Sequence, residues 1–486
     1  MNWNKIIDVF RYDPASPMLF NSGIFLVMFL CFYGLYILIR NRQTFLFIYT
    51  ILFSLYFYYK ASGYYVLIFI ASTLINFYLG HILFKTKGNK TKKAWLVAGI
   101  IFNLAILFWF KYTNLFVRTW GTLSGQEVPH LDIFLPIGIS FFTFQSISYL
   151  VDIYKNLLQP PKSLIKFSFY ATFFPHLVAG PIVRAYIFLP QVYQKIKLSY
   201  QQIGHAWWLI IGGLIKKAII SDYISINFVD RIFDNPALYS GFENLMAVYG
   251  YAIQIYCDFS GYSDIAIGLA LLMGFQLPVN FNSPYKATSV TEFWRRWHIT
   301  LSSWLRDYLY IPMGGNRKGK FRTYINLLLT MLIGGLWHGA SWKFVVWGGL
   351  HGSALAVEKL FKPLIGDRKS VWLKIAGWVL TFHFVCLGWI FFRAADYKIA
   401  LAVISAIFDF SGWNIALEII RAGWPVFLLL AFGFAAHFFS RKYKVKLEQI
   451  FTLSPLPVQA FAISLVIWVI LQVSSAQVQP FIYFQF

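Results

Sequence analysis

Charge is scarce in this chain. Only 13% of its 486 residues are charged and 58% are hydrophobic, against roughly 25% charged in ordinary soluble domains. So little polar surface could not cover so apolar a core, which excludes a soluble globular fold and leaves a polytopic membrane protein. Cysteine is scarcer still: Cys31, Cys257 and Cys386 stand far apart in apolar surroundings. That spacing excludes a disulfide framework and a Cys-x-x-Cys metal site and leaves packing roles for all three. The sequence also lacks a Gly-x-Ser-x-Gly elbow and a His-Glu-x-x-His pair, so neither a hydrolase serine nor a helical zinc site is expected. The nine histidines are scattered without ligand spacing, and no metal and no permanently bound cofactor is expected. There is no repeat of fixed period, no long linker and no soluble domain.

What is abundant fits a bilayer. Aromatic residues make up 20% of the chain, enough for interfacial belts of Trp and Tyr. The formal charge of +23 would suggest nucleic acid in a soluble protein. Here Lys and Arg gather in short loops between apolar runs, as cytoplasmic loops over anionic lipid do, so membrane lipid is the expected partner and nucleic acid is not. The N-terminal "MNWNKIIDVFRYDPASPMLF" lacks the basic-then-apolar pattern of a cleaved signal, and the run after it is expected to stay as the first span.

Candidate spans fall at 20–39, 44–59, 63–84, 94–117, 133–151, 164–183, 203–220, 243–257, 261–277, 323–337, 342–361, 371–392, 422–439 and 458–475. Several are short or rich in glycine, and "YCDFSGYSDIAIG" (256–268) reads as a broken or re-entrant pair. The expected fold is all-α, with about 11–13 crossings plus re-entrant and interfacial helices. One membrane-embedded domain is expected, its N-terminal helices over 1–120 and a motif-bearing core over 130–486. The basic loops "RNR" (40–42), "KTKGNKTKK" (85–93), "NRKGKFR" (316–322) and "RKYKVK" (441–446) should be cytoplasmic, which places both termini on the outer side. From 316–322 the span 323–337 then runs outward and carries His338 past the midplane, since fifteen helical residues rise about 22 Å.

The least apolar aromatic stretch is "SVTEFWRRWHITLSSWLRDYLYIPMGG" (289–315). On one continuous helix it would place Arg295, His298, Ser302 and Arg306 on one face, suited to the interface or a cavity mouth. Asp307 would point away from His298. The following "GGNRKGKF" mimics a phosphate-binding loop, but Phe321 stands where Ser or Thr must hold magnesium and no strand precedes it. A flexible basic loop is the better reading, and Arg317, Lys318 and Lys320 could attract an anionic acyl donor or carrier protein.

Among the histidines, His81, His130 and His437 lie near predicted span ends, where imidazole can reach water. His176 and His351 sit at membrane depth among small or polar neighbours and read as structural, and His205 and His383 carry no motif. His338, in "TMLIGGLWHGASW" (330–342), differs in its setting. Gly334, Gly335 and Gly339 strip side chains from its helix, so that a substrate or a neighbouring element can come close. Trp337 and Trp342 add flat walls. A neutral imidazole there could take a proton from a hydroxyl, although glycines beside a histidine also serve tight helix packing.

Taken together, "EFWRRWHITLSSWLRDYLYIPMGGNRKG", "LIGGLWHGASWKFVVWGGLHG", "FFPHLVAGPIVR", "QIYCDFSGYSDIAIGLA" and the terminal "PFIYFQF" resemble the membrane-bound O-acyltransferase family. The likeness is to its bacterial branch of alginate O-acetyltransferases and teichoic acid D-alanyl transfer proteins, and it spans most of 130–486. The resemblance implies helices around a central tunnel, where a cytoplasmic acyl thioester (acetyl-CoA or an acyl carrier protein) meets an outside acceptor such as alginate. It maps the family's near-invariant histidine onto His338 as general base and its second histidine onto His298. His298 would orient the donor or steady the oxyanion, with Arg295, Arg296, Trp337 and Ser302 along the tunnel. It further implies a bacterial inner-membrane location and cell-envelope partners, either periplasmic acetyltransferases or an acyl carrier protein. Teichoic acid or peptidoglycan as acceptor, and a transporter or flippase, are the alternatives.

Overall fold

A computed structural model describes residues 10–14, 17–177, 180–365 and 370–473. The chain is helical throughout, without a strand among the described residues. It packs as two compact units: Met1–Ala206 with Ala266–Pro278, and Trp207–Ile265 with Val279–Phe486. The first unit continues to residue 206 and takes in the distant segment Ala266–Pro278. Tyr33 and Tyr36 donate hydrogen bonds to the carbonyls of Leu272 (3.1 Å) and Met273 (2.6 Å). Phe275 packs against Phe169, Phe173 and Phe188.

Four helical stretches are long and apolar enough to cross a bilayer: Gln43–Lys85, Asn89–Ser124, Gly241–Leu272 and Val371–Arg393. Two pairs bent by 93° and 115°, Trp413–Ala422 with Trp424–Phe438 and Arg441–Leu453 with Leu456–Gln472, bring the number to six. Several stretches chosen on hydropathy are shorter than a span. The candidate 164–183, for example, stops at Thr172 and resumes as Phe174–Leu177. Large apolar side chains such as Leu38, Trp120 and Leu380 are mostly exposed, as lipid-facing positions must be.

The first unit is built round Phe174. Its ring meets Phe20, Phe25, Phe29, Phe32, Phe53 and Phe57, while its backbone N–H is satisfied by Ser54 Oγ at 3.2 Å. Buried amides in this unit close on one another. Asn76 and Asn103 exchange hydrogen bonds of 3.1 and 2.9 Å, which removes the cost of an unpaired polar group in an apolar interior.

In the second unit, the expected break at 256–268 is absent: Gly241–Leu272 is one 32-residue helix. Its glycine and its carboxylates serve lateral packing instead of a kink. A Cβ on Gly261 would lie 2.7 Å from the Gly213 carbonyl oxygen, so two backbones meet there. Asp258 pairs with Lys217 at 2.6 Å, and Asp264 with Lys216, on a segment widened into π-helix over Ile215–Ser221. The second close pair is Lys320–His338 against Trp342–Ile365. A Cβ on Gly335 would meet the Phe344 carbonyl oxygen at 2.1 Å, and one on Gly348 the Met331 carbonyl oxygen at 2.2 Å. Glycine alone permits this approach, in which helix backbones touch.

Candidate active site

His298 does not lie on a continuous helix. The helix Val290–Arg296 starts at Ser289, whose hydroxyl accepts from the Glu292 N–H. It ends before Trp297, which is extended, and His298 takes left-handed backbone angles (φ 41°, ψ 55°) to open the next helix, Ile299–Leu305. The expected shared face of Arg295, His298, Ser302 and Arg306 is therefore broken. The cause is the preceding loop, which pairs with this turn: Asn282 N–H donates to the Arg296 carbonyl and Ile299 N–H to the Asn280 carbonyl, each at 2.9 Å. A left-handed conformation costs a residue with a Cβ about 1–2 kcal/mol, and such strain gathers at functional sites.

The Asn280 side chain completes the clasp. Its Oδ1 lies 3.1 Å from His298 Nδ1, 2.9 Å from Thr300 Oγ1 and 3.3 Å from Thr300 N, while its Nδ2 donates to Ser263 Oγ at 3.2 Å. His298 is fully buried, its ring edge-on to Phe259 at 4.5 Å between centroids. This turn lies outside the membrane-crossing helices. Burial pushes the His298 pKa down to about 3, because a charged imidazole loses its hydration there.

Trp337 joins the two histidines. Its ring lies 6.1 Å from His298 and 5.1 Å from His338. The imidazoles are thus no farther apart than these two separations laid end to end. His338 closes its helix with 3% of its surface exposed. Trp347 at 5.0 Å and Phe392 at 5.5 Å, both edge-on, also pack on its ring. The structure thus gathers His298, Trp337 and His338, drawn from two separate stretches of sequence, into one buried aromatic setting.

The other expected residues lie elsewhere. Arg296 forks onto Glu292 Oε1 (2.9 and 2.8 Å) and donates to the Asn282 carbonyl (3.1 Å), and Arg295 is exposed. Ser302 donates to the Trp297 carbonyl at 3.2 Å and so ties the turn locally. Asp307 holds Arg306. Arg317, Lys318 and Lys320 are exposed on a turn made by Gly314, Gly315 and Gly319, all at positive φ. Trp342 is half exposed. Of the three glycines, Gly335 and Gly339 face Phe344, so a neighbouring helix fills the space they leave, whereas Gly334 would meet only Leu305 Cδ1.

His437 corrects its expected place at the water. It is 2% exposed, accepts the Tyr285 N–H at 3.1 Å and packs on Tyr256. His176 pairs with Gln145 at 3.2 Å, and His351 is fully buried between Trp294 and Trp347. The free cysteines Cys257 and Cys386 are buried, whereas Cys31 is exposed. No group of three or more His, Cys, Asp or Glu among the described residues could hold a metal ion. "PFIYFQF" lies outside the described residues. Sequence reasoning missed Asn280 and Trp347. A capping-type residue in "NFNSPY" could have flagged the first as a turn former; no local signal marks the second.

Residues 53–395 match the family model for the membrane-bound O-acyltransferase family. The match holds both histidines and begins well upstream of residue 130, where the motif likeness starts. The chain is 38% identical to a probable alginate O-acetylase of Pseudomonas putida, over 96% of this chain and all of that protein. It is also 38% identical to a peptidoglycan O-acetyltransferase of Helicobacter pylori, over 84% of this chain and 82% of the relative. A teichoic acid D-alanyltransferase of Bacillus subtilis is 28% identical over 58% of this chain and 74% of its own. Buried histidines, apolar helices and the extent of these matches agree: the chain is an acyltransferase belonging to the membrane-bound O-acyltransferase family.

Proposed function

We propose that the protein moves an acyl group, acetyl in the first instance, from a cytoplasmic thioester to hydroxyls of an exported cell-surface polysaccharide of the alginate kind. The observation that carries this reading is the pairing of His298 and His338 through Trp337 inside the family-matched segment. His338 takes the proton from the acceptor hydroxyl as its oxygen attacks the thioester carbonyl carbon. The C–S bond then breaks and the thiol leaves with a proton. His298 orients the reactants beside it. Aromatic walls exclude water, which both strengthens these interactions and suppresses thioester hydrolysis. The reactants reach the site through a passage between the two faces of an inner membrane. The donor is acetyl-CoA or an acyl carrier protein, and periplasmic acetyltransferases or an acyl carrier protein are the protein's cell-envelope partners.

The reading is tested by purifying the protein in lipid, supplying acetyl thioester and oligosaccharide, and following ester formation by mass spectrometry. His338→Ala should lower it by about 10²–10⁴-fold in a folded preparation; undiminished turnover would refute the assignment. The likeness to a peptidoglycan O-acetyltransferase supports a second reading with peptidoglycan as acceptor. Mass spectrometry of exported and wall glycans from cells with and without the protein separates the two.

A further inference from the structure

We infer that Asn280 is a positioning residue that locks His298 into the tautomer with its proton on Nδ1, so that His298 faces the reactants only as a hydrogen-bond acceptor. The inference rests on the reading above, in which His298 belongs to the transfer site. Its starting point is a backbone group whose chemistry is not in question. The Thr300 N–H can only donate, and it faces the Asn280 side chain at 3.3 Å. The atom there must be the amide oxygen, because a flipped amide would set two donors against each other. The same oxygen lies 3.1 Å from His298 Nδ1. An amide oxygen cannot donate, so Nδ1 carries the hydrogen, and in the neutral ring Nε2 holds the lone pair.

The fixture is over-determined. The Asn280 carbonyl takes the Ile299 N–H, its side-chain oxygen takes two donors from Thr300, and its amide nitrogen reaches Ser263. The loop that bends His298 into its left-handed conformation is therefore the loop that sets its tautomer. A ring so fixed accepts an O–H or N–H from a reactant, such as a sugar hydroxyl. It does not donate to the oxyanion of the tetrahedral intermediate, the other role foreseen for it.

Two measurements test this together. Solid-state NMR of ¹⁵N-histidine protein in bilayers should show one resonance pair with protonated Nδ1 and bare Nε2 that vanishes in His298→Ala. Asn280→Ala should mix the tautomers and lower kcat by about 10- to 100-fold, the scale of lost orienting partners, with KM changed less than roughly threefold. Asn280→Asp keeps an oxygen toward Nδ1 and should recover most of kcat. A proton on Nε2 in the wild type would overturn the inference, as would an unmixed tautomer in Asn280→Ala or an Asn280→Asp no better than alanine. If Asn280→Ala does not fold, the wild-type spectrum and Asn280→Asp decide. Full activity in His298→Ala would instead remove the reading of the site itself, whatever the tautomer.

Discussion

The two units hold some of their buried polar groups in different ways. In the first, Asn76 and Asn103 answer each other across neighbouring helices, and Gln145 answers His176. Each pair sits on ordinary helical backbone. In the second, His298 is held in a left-handed turn by a loop from elsewhere in the sequence, and His338 ends a helix against three aromatic rings. A polar group that only stabilises needs satisfaction, whereas one that acts, as the two histidines do under the proposed function, needs orientation. Strain and supporting contacts are concentrated where orientation is required.

The sharpest way to break this contrast is to remove one member from each side. His338→Ala should lower acyl transfer by about 10²–10⁴-fold, the range for a lost general base, while the thermal midpoint in detergent hardly moves. The outcome is read as ester formed per folded protein, and a large fall in the midpoint would make His338 structural, like the first unit's amides. Next in size are the glycines. Gly335→Ala must push a methyl against the Phe344 carbonyl, whereas Gly334→Ala meets only the tip of Leu305. The first should cost about 1–3 kcal/mol of overpacking and much of the folded yield in size-exclusion profiles, and the second little. Equal behaviour would return these glycines to the role of clearing space for substrate.

The amide pair gives a smaller effect. Asn76→Leu alone leaves the Asn103 amide buried without its partner and should cost about 1 kcal/mol. The double variant with Asn103→Leu should recover most of that, because both polar groups are gone. Thermal midpoints of the four proteins form the cycle, and specific activity should stay level throughout. Failure of the double variant to recover would mean that the pair orients something as well.

Much of this was legible in the sequence, for reasons that show its limits. Hydropathy locates the apolar helices, and the glycine-flanked "GLWHG" draws attention to His338, an ionisable group in an apolar run. Resemblance points to His298, but its geometry is not legible locally: helical periodicity cannot register a loop eighteen residues away, about 60 Å of extended chain, or the turn it imposes. Asn280 lies only eighteen residues before His298, yet nothing local ties the two. Gly261 and Asp258 were read as a break because the same residues that end helices also let helices meet. Only the positions of Gly213 and Lys217 decide between these meanings.

The smallest expected effect concerns the basic turn at Arg317, Lys318 and Lys320. These side chains are exposed and belong to neither kind of buried polarity. Exposed charges act through a field that salt screens within about 10 Å at 0.1 M, so they can gather an anionic thioester without touching its reacting atoms. Reversing all three to Glu should raise KM for the thioester a few fold at low salt. The difference should shrink as salt is added, and kcat should stay put. A fall in kcat that salt does not mend would show the turn to be coupled to the helix it begins, Lys320–His338, and so to the orientation of His338 at its other end. An unchanged KM at every salt concentration would instead remove the turn from donor capture and leave it an exposed basic turn.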